Sequence, residues 1–179
     1  APGGAGWLLD PLLPGQGETP TPRIAWRPEG ADAPAFLNLL PGIQLPQIDS
    51  FSRLDHHLPS SEILGFVEDP DGGTLFQCIR LGSPPAVVWE SRLPDLPFAR
   101  LARRQPEPIA GREGWACPLA LGGGSRGPEE TQVLLFDGKG DLAGRFRTPA
   151  SPTGRLELFA AGGFLVLRTG SDLYLLGKP

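Results

Sequence analysis

Apolar residues along this chain come in short runs that are separated by tight turns rich in Gly, Asp and Pro. Four segments have the order run, turn, run, and they are residues 23–40, 65–81, 133–149 and 164–176. Gly and Asp tolerate the left-handed backbone of tight hairpin turns, so each segment predicts a β-hairpin. Three further runs predict strands that begin at Ala86, Trp115 and Arg155. About ten short strands predict an all-β fold built as an antiparallel hairpin meander.

Two short segments have helical spacing and predict connector helices that lie against a sheet. Asp49 can cap a helix from Ser50 to Leu58, which Pro59 ends. Asp95 can likewise open a helix from Leu96 to Arg104.

The arrangement of the strands leaves two architectures open. The hairpin turns fall near residues 30, 71, 139 and 171, and a period of about 35 to 45 residues is typical of propeller blades. Residues 131–149 followed by 154–176 resemble NHL-like or quinoprotein-like β-propeller blades in their hydrophobic pattern and in the turn FDGKGD. This resemblance implies propeller-like blades. A β-sandwich or barrel is the competing architecture.

The first 22 residues carry five glycines and five prolines around small apolar clusters. This composition predicts an extended N-terminal arm over residues 1–22, followed by a single all-β domain over residues 23–179. Trp7, Leu8 and Leu9 would pin the arm to the body of the protein or to a partner.

Composition narrows the class of protein. The 179 residues are 40% hydrophobic and 20% charged, as in a globular domain. A net charge of -4 argues against nucleic acid as a partner, because phosphate binding needs a basic face. No apolar run reaches the 18 or so residues of a transmembrane segment. The small-residue start fits an exported protein, periplasmic or extracellular, with the cytoplasm as the alternative.

Cys78 and Cys117 each fall in a predicted strand. In an exported protein they can form a disulfide, whereas in a cytosolic one they are buried small hydrophobes. The sequence contains no CxxC spacing, so no structural zinc site is predicted, and no cofactor is predicted either.

The only two histidines, His56 and His57, follow Asp55 directly. This cluster is the candidate catalytic site, and a hydrolase would use it with Ser60 or Glu62. Adjacent residues of a helix point about 100° apart, so the two rings are poorly placed to share a metal ion. The favoured interpretation is a helix C-terminus, where free carbonyl groups attract imidazolium.

Residues 122–127 match both the GxGxxG and the GxSxG patterns, the second with Ser125 as nucleophile. Both patterns require a following helix, and only five residues separate the glycines from the next apolar run. A glycine loop is therefore favoured. The acidic turns 69–73 and 137–141 are interpreted as hairpin turns and not as calcium loops.

These observations favour a non-enzymatic protein-interaction domain that is a subunit or fragment of a larger assembly. Its partner would be another protein, bound through the sheet surface, the loops and the proline-rich arm. The basic group Arg100, Arg103 and Arg104 is a candidate site for an acidic partner. The alternative is a small-ligand or carbohydrate-binding β-domain with tryptophans as stacking platforms. The hydrolase is the third hypothesis.

Overall fold

A computed structural model of the protein describes residues 6–12, 21–27, 30, 32–33, 35–45, 62–81, 84–101, 109–110, 114–122, 130–149, 156–161 and 164–177. Thirteen strands lie among these residues: β1 (Gly6–Leu12), β2 (Thr21–Arg27), β3 (Ala35–Asn38), β4 (Glu62–Glu68), β5 (Thr74–Arg80), β6 (Ala86–Leu93), β7 (Ile109–Ala110), β8 (Gly114–Leu121), β9 (Glu130–Asp137), β10 (Leu142–Pro149), β11 (Leu156–Ala161), β12 (Phe164–Thr169) and β13 (Asp172–Gly177).

The strands form four small antiparallel sheets, in which strands that are consecutive in the chain pair with each other. The first sheet has the order β1-β2-β3, the second β4-β5-β6, the third β10-β9-β8-β7 and the fourth β11-β12-β13. The four predicted hairpins and the three further strands are all present. The all-β prediction and the antiparallel meander are therefore confirmed. None of the sheets formed by the described strands closes on itself.

The predicted helix from Leu96 to Arg104 is wrong over its described part. A single 3-10 turn, Phe98–Arg100, occupies the segment, and its N-cap residue is Pro97, which makes no side-chain cap hydrogen bond. Leu101 is already extended and forms a β-bridge with Leu121. Pro97 explains the failure in part, because the residue before a proline is driven away from helical backbone angles. The other predicted helix, Ser50 to Leu58, lies outside the described residues.

The chain divides into two compact units, Ala1–Leu96 and Pro97–Pro179. The first unit holds the first and second sheets, and the second unit holds the third and fourth. The assignment of residues 1–22 to an arm and of residues 23–179 to a single domain stays a prediction.

In the first unit an apolar core joins the two sheets. Its buried members come from β2, from the segment after β3, from β4, and from β5 and the residue that follows it. They are Ile24, Leu39, Leu45, Ile63, Ile79 and Leu81. Gly65 of β4 lets the segment after β3 approach closely, because a Cβ there would lie 2.7 Å from side-chain carbons of Ile43 and Leu45. Two hydrogen bonds between Gln44 and Phe66 tie this segment to β4.

In the second unit the fourth sheet packs one face on the third. The shared core is formed by Ala116, Val133, Leu165, Leu167 and Leu176. Leu158 and Tyr174 of the fourth sheet and Leu135 and Phe146 of the third pack against it. Burial of these side chains stabilises the pair of sheets by roughly 25 cal/mol for each Å² of apolar surface.

Candidate functional site

The predicted catalytic cluster lies outside the part of the chain that the structure describes. Asp55, His56, His57 and Ser60 all belong to residues 46–61, which lie outside the description. Glu62 is described, and its carboxylate accepts hydrogen bonds of 3.1 and 3.0 Å from Nε and Nη2 of Arg80. The two residues face each other across β4 and β5, and both hydrogen bonds end on Oε1 of Glu62, so this ion pair supports the sheet register.

The apolar residues assigned to the arm lie in β1. Trp7, Leu8 and Leu9 are paired in register with Trp26, Ala25 and Ile24 of β2. The pairing extends over the seven residues of β1, so Gly6–Leu12 is a strand of the first sheet. A deletion of residues 1–22 would therefore remove a sheet strand together with any partner contact.

The basic group is described only at its first member. Arg100 is the last residue of the 3-10 turn, and Arg103 and Arg104 lie outside the described residues. The prediction of an acidic partner at this group stays a prediction.

Cys78 and Cys117 are both buried, each within its own unit. The disulfide between them stays a prediction, as does the alternative of buried small hydrophobes. Burial raises the pKa of the Cys117 thiol far above its usual range, because an apolar environment disfavours the thiolate. The neutral thiol is a poor nucleophile, so Cys117 has the chemistry of a core residue.

The acidic turn between β4 and β5 is held by its own residues. Asp69 is only 4% exposed, and its Oδ1 accepts hydrogen bonds from the backbone N–H of Asp71 and from Nη1 of Arg92. Arg92 also pairs with the Asp71 carboxylate at 3.0 Å. Among the described residues, no three His, Cys, Asp or Glu side chains gather into a metal-binding group. The carboxylates of this turn are occupied by structural contacts.

A carboxylate also holds the turn between β9 and β10 through hydrogen bonds. Oδ1 of Asp137 accepts hydrogen bonds of 2.8 and 2.9 Å from the backbone N–H groups of Lys139 and Asp141. These bonds favour the ionised form, and they hold the pKa of Asp137 below its usual value. The carboxylate therefore organises the hairpin.

The tryptophans whose side chains the structure describes are core residues. Trp89 and Trp115 are both buried, so neither offers an exposed platform on which a sugar ring could stack.

The fourth sheet presents an exposed apolar surface on the face opposite its core. Side chains alternate between the faces of a strand, so the strands of this sheet direct one set of residues to the core and the other set outward. We call the second set the outer face, and its members are Glu157, Phe159, Ala161, Phe164, Val166, Arg168, Leu173 and Leu175.

Four large side chains of the outer face are accessible to solvent. Phe159 and Phe164 are 39% and 38% exposed, and Leu173 and Leu175 of the edge strand β13 are 65% and 68% exposed. They present about 400 Å² of apolar surface together, taking roughly 200 Å² for a fully exposed large side chain. Patches of this size are often functional in soluble proteins.

The charged residues of the outer face lie at one end of it. Glu157 of β11 and Arg168 of β12 are opposite each other in the register, with 3.4 Å between Oε2 and Nη1. The next cross-strand row contains Phe159, Val166 and Leu175, and it is apolar throughout. The face therefore has an apolar centre and a neutral, paired charge at its border.

Sequence reasoning missed the outer face, although a signal for it exists. The strand sequences FLVLR and DLYLL carry apolar residues at consecutive positions, where a sheet with one solvated face would alternate apolar and polar residues. Such continuous runs are typical of strands that are covered on both faces.

Comparison with known proteins found no match to a family model, a curated protein or a solved structure. Within the described residues, no helix is both long and apolar enough to span a membrane.

Proposed function

We propose that this chain is a non-enzymatic protein-interaction domain and that it binds its partner through the outer face of the fourth sheet. The observation that carries the proposal is the exposure of Leu173 and Leu175 together with Phe159 and Phe164 on one sheet face. Covering large apolar side chains from water is the main favourable term in protein association.

The surroundings of the apolar centre support the same function. Interfaces between proteins have an apolar core and a polar rim. The outer face has this layout, because the ion pair between Glu157 and Arg168 borders the apolar rows. The opposite side of this sheet is buried in the core through Leu165 and Leu167, and this packing favours a surface that is formed before the partner binds.

Site-specific photo-crosslinking in the native host cells tests the proposal. A benzophenone amino acid replaces Leu175 in one variant and Leu142 in a matched control. Leu142 is also an exposed leucine of the second unit, but it lies on β10 in the third sheet.

We expect a discrete crosslinked product from position 175 and none from position 142. Adding Leu173→Asp to the position-175 variant should remove the product, because the substitution places a charge two residues from position 175, on the same face of β13 and at the border of the apolar centre. No product from position 175, or equal products from both positions, would contradict the proposed function.

A further inference from the structure

The outer face of the fourth sheet also indicates which partner covers it. We propose that it binds a second copy of this chain, sheet against sheet, about a twofold axis. The inference rests on the proposed function and names the partner of the same surface.

Sheet-on-sheet packing covers one apolar face of the sheets in each of the two units. In the second unit the inner face of the fourth sheet is closed by the third sheet, through residues such as Leu167 and Val133. In the first unit Ile24 of the first sheet meets Ile63 and Ile79 of the second. An outer face that resembles these buried faces in composition is suited to the same kind of cover.

The distribution of the exposed side chains favours contact over the whole face. Phe159 comes from β11, Phe164 from β12 and Leu175 from β13, so all three strands contribute. Pairing along the edge of β13 alone would cover the leucines of that strand and leave Phe159, on the opposite edge strand, in water. A second sheet laid over the face covers all of them.

The charges of the face are compatible with its own copy. Among the described residues of the outer face, the ionised groups are Glu157 and Arg168, and they neutralise each other. Two copies therefore meet without like-charge repulsion at the contact. A twofold axis can lie between the two sheets, parallel to both of them and perpendicular to the strands. It places the central row of one copy, with Val166 in the middle, opposite the same row of the other copy, and it places the two ion pairs at opposite ends of the interface.

The area is sufficient for a weak, specific dimer. Two copies of the apolar centre, with Ala161, Glu157 and Arg168 at the rim, would bury about 1,000 Å² in total, which is the lower bound for specific interfaces. Weak, transient complexes lie at this lower end of interface size, so we expect a dissociation constant of about 1 μM or above. The dimer should therefore be visible only at high protein concentration.

Sedimentation equilibrium of the purified full chain over a range of concentrations tests the inference. The comparison uses the unaltered protein, Leu173→Asp, Leu175→Asp and the control Leu142→Asp. Leu173→Ser and Leu175→Ser serve as milder replacements if an aspartate variant does not fold, as judged by circular dichroism. Each interface substitution occurs twice in a symmetric dimer, so we expect a loss of affinity of about a hundredfold or more.

We expect the mass to rise from one chain to two with concentration for the unaltered protein and for Leu142→Asp, and to stay at one chain for the interface variants. A single-chain mass at every concentration, or a dimer that survives both interface substitutions, would overturn the inference. The crosslinking experiment separates this failure from that of the proposed function. A product from position 175 with a mass other than two chains leaves the proposed function standing and refutes the second copy.

Discussion

Truncation of one leucine on each face of the fourth sheet measures which face is closed within a single chain. Leu167 is fully buried in the core shared with the third sheet, whereas Leu175 is 68% exposed on the outer face. Both residues lie in paired strands of one sheet and both are changed to alanine, so the chemistry of the two substitutions is identical.

The expected costs differ several-fold. Leu167→Ala removes a fully buried side chain and leaves a cavity, which should lower the free energy of unfolding by about 2–5 kcal/mol. Leu175→Ala removes a side chain that already contacts water over most of its surface, so the expected loss is under about 1 kcal/mol. The inner substitution acts on the second unit, in which Leu167 shares the core with Ala116 and Val133 of the third sheet.

Urea denaturation, followed by tryptophan fluorescence, provides the measurement. The protein is kept at a concentration well below that at which a second copy would bind, and the slope of the transition is compared between variants so that a change in stability is separated from a change in cooperativity. Because the chain contains two compact units, the transition is first checked for a second step.

Equal losses for the two variants under these conditions would refute the reasoning. That result would mean that Leu175 is covered within the chain, and the outer face would then no longer support an interaction site. A loss for Leu175→Ala that appears only at high protein concentration would agree with association through this face.

Two further predictions concern the hairpin turns. Gly73→Ala should lower the free energy of unfolding by about 2–4 kcal/mol, because φ is +86° and a Cβ would overlap the backbone of Leu93 and lie 2.5 Å from Pro94 Cα. Gly72→Ala is the control: φ is +99° but the space is open, so the substitution should cost only the backbone strain of about 1–2 kcal/mol. Equal losses for the two variants in urea titrations would contradict the tight contact at Gly73. Because the pKa of Asp137 is lowered in the folded protein, its ionised form stabilises the fold above about pH 4, and this contribution is lost as the pH falls through the lowered pKa. Asp137→Ala should therefore lose less stability on acidification than the unaltered protein. An NMR titration that gave Asp137 an ordinary or raised pKa would refute the stabilising role of its hydrogen bonds.

Much of the fold could be predicted because its determinants are local. The turn from Asp69 to Gly73 and the turn from Asp137 to Asp141 contain the glycines and aspartates that hairpins require, and each brings two neighbouring apolar runs into register. Burial of the cysteines was predicted as one alternative, because each lies within an apolar run. These features depend on a few adjacent residues.

Other features depend on residues far apart in the chain. The sequence predicts that residues 1–22 form an extended arm whose apolar residues are pinned to the body or to a partner, and only the register with β2 identifies the strand that Gly6–Leu12 pairs with. The helix expected after Asp95 was favoured by apolar spacing, but the structure has a bridge between Leu101 and Leu121, twenty positions away. Helical spacing in a short segment is a weak signal when such a partner strand is present.

The sequence by itself determined that this chain forms hairpins and that several of its strands are apolar on both faces. The runs of β4 and β5 and those of β12 and β13 look alike in this respect. The tertiary structure decided that β4 and β5 are buried on both sides, whereas Leu173 and Leu175 of β13 remain exposed. The physical reason is that the hydrophobic effect favours removal of an apolar sheet face from water but does not specify which surface packs on it. That surface is determined by which distant strands can reach the face.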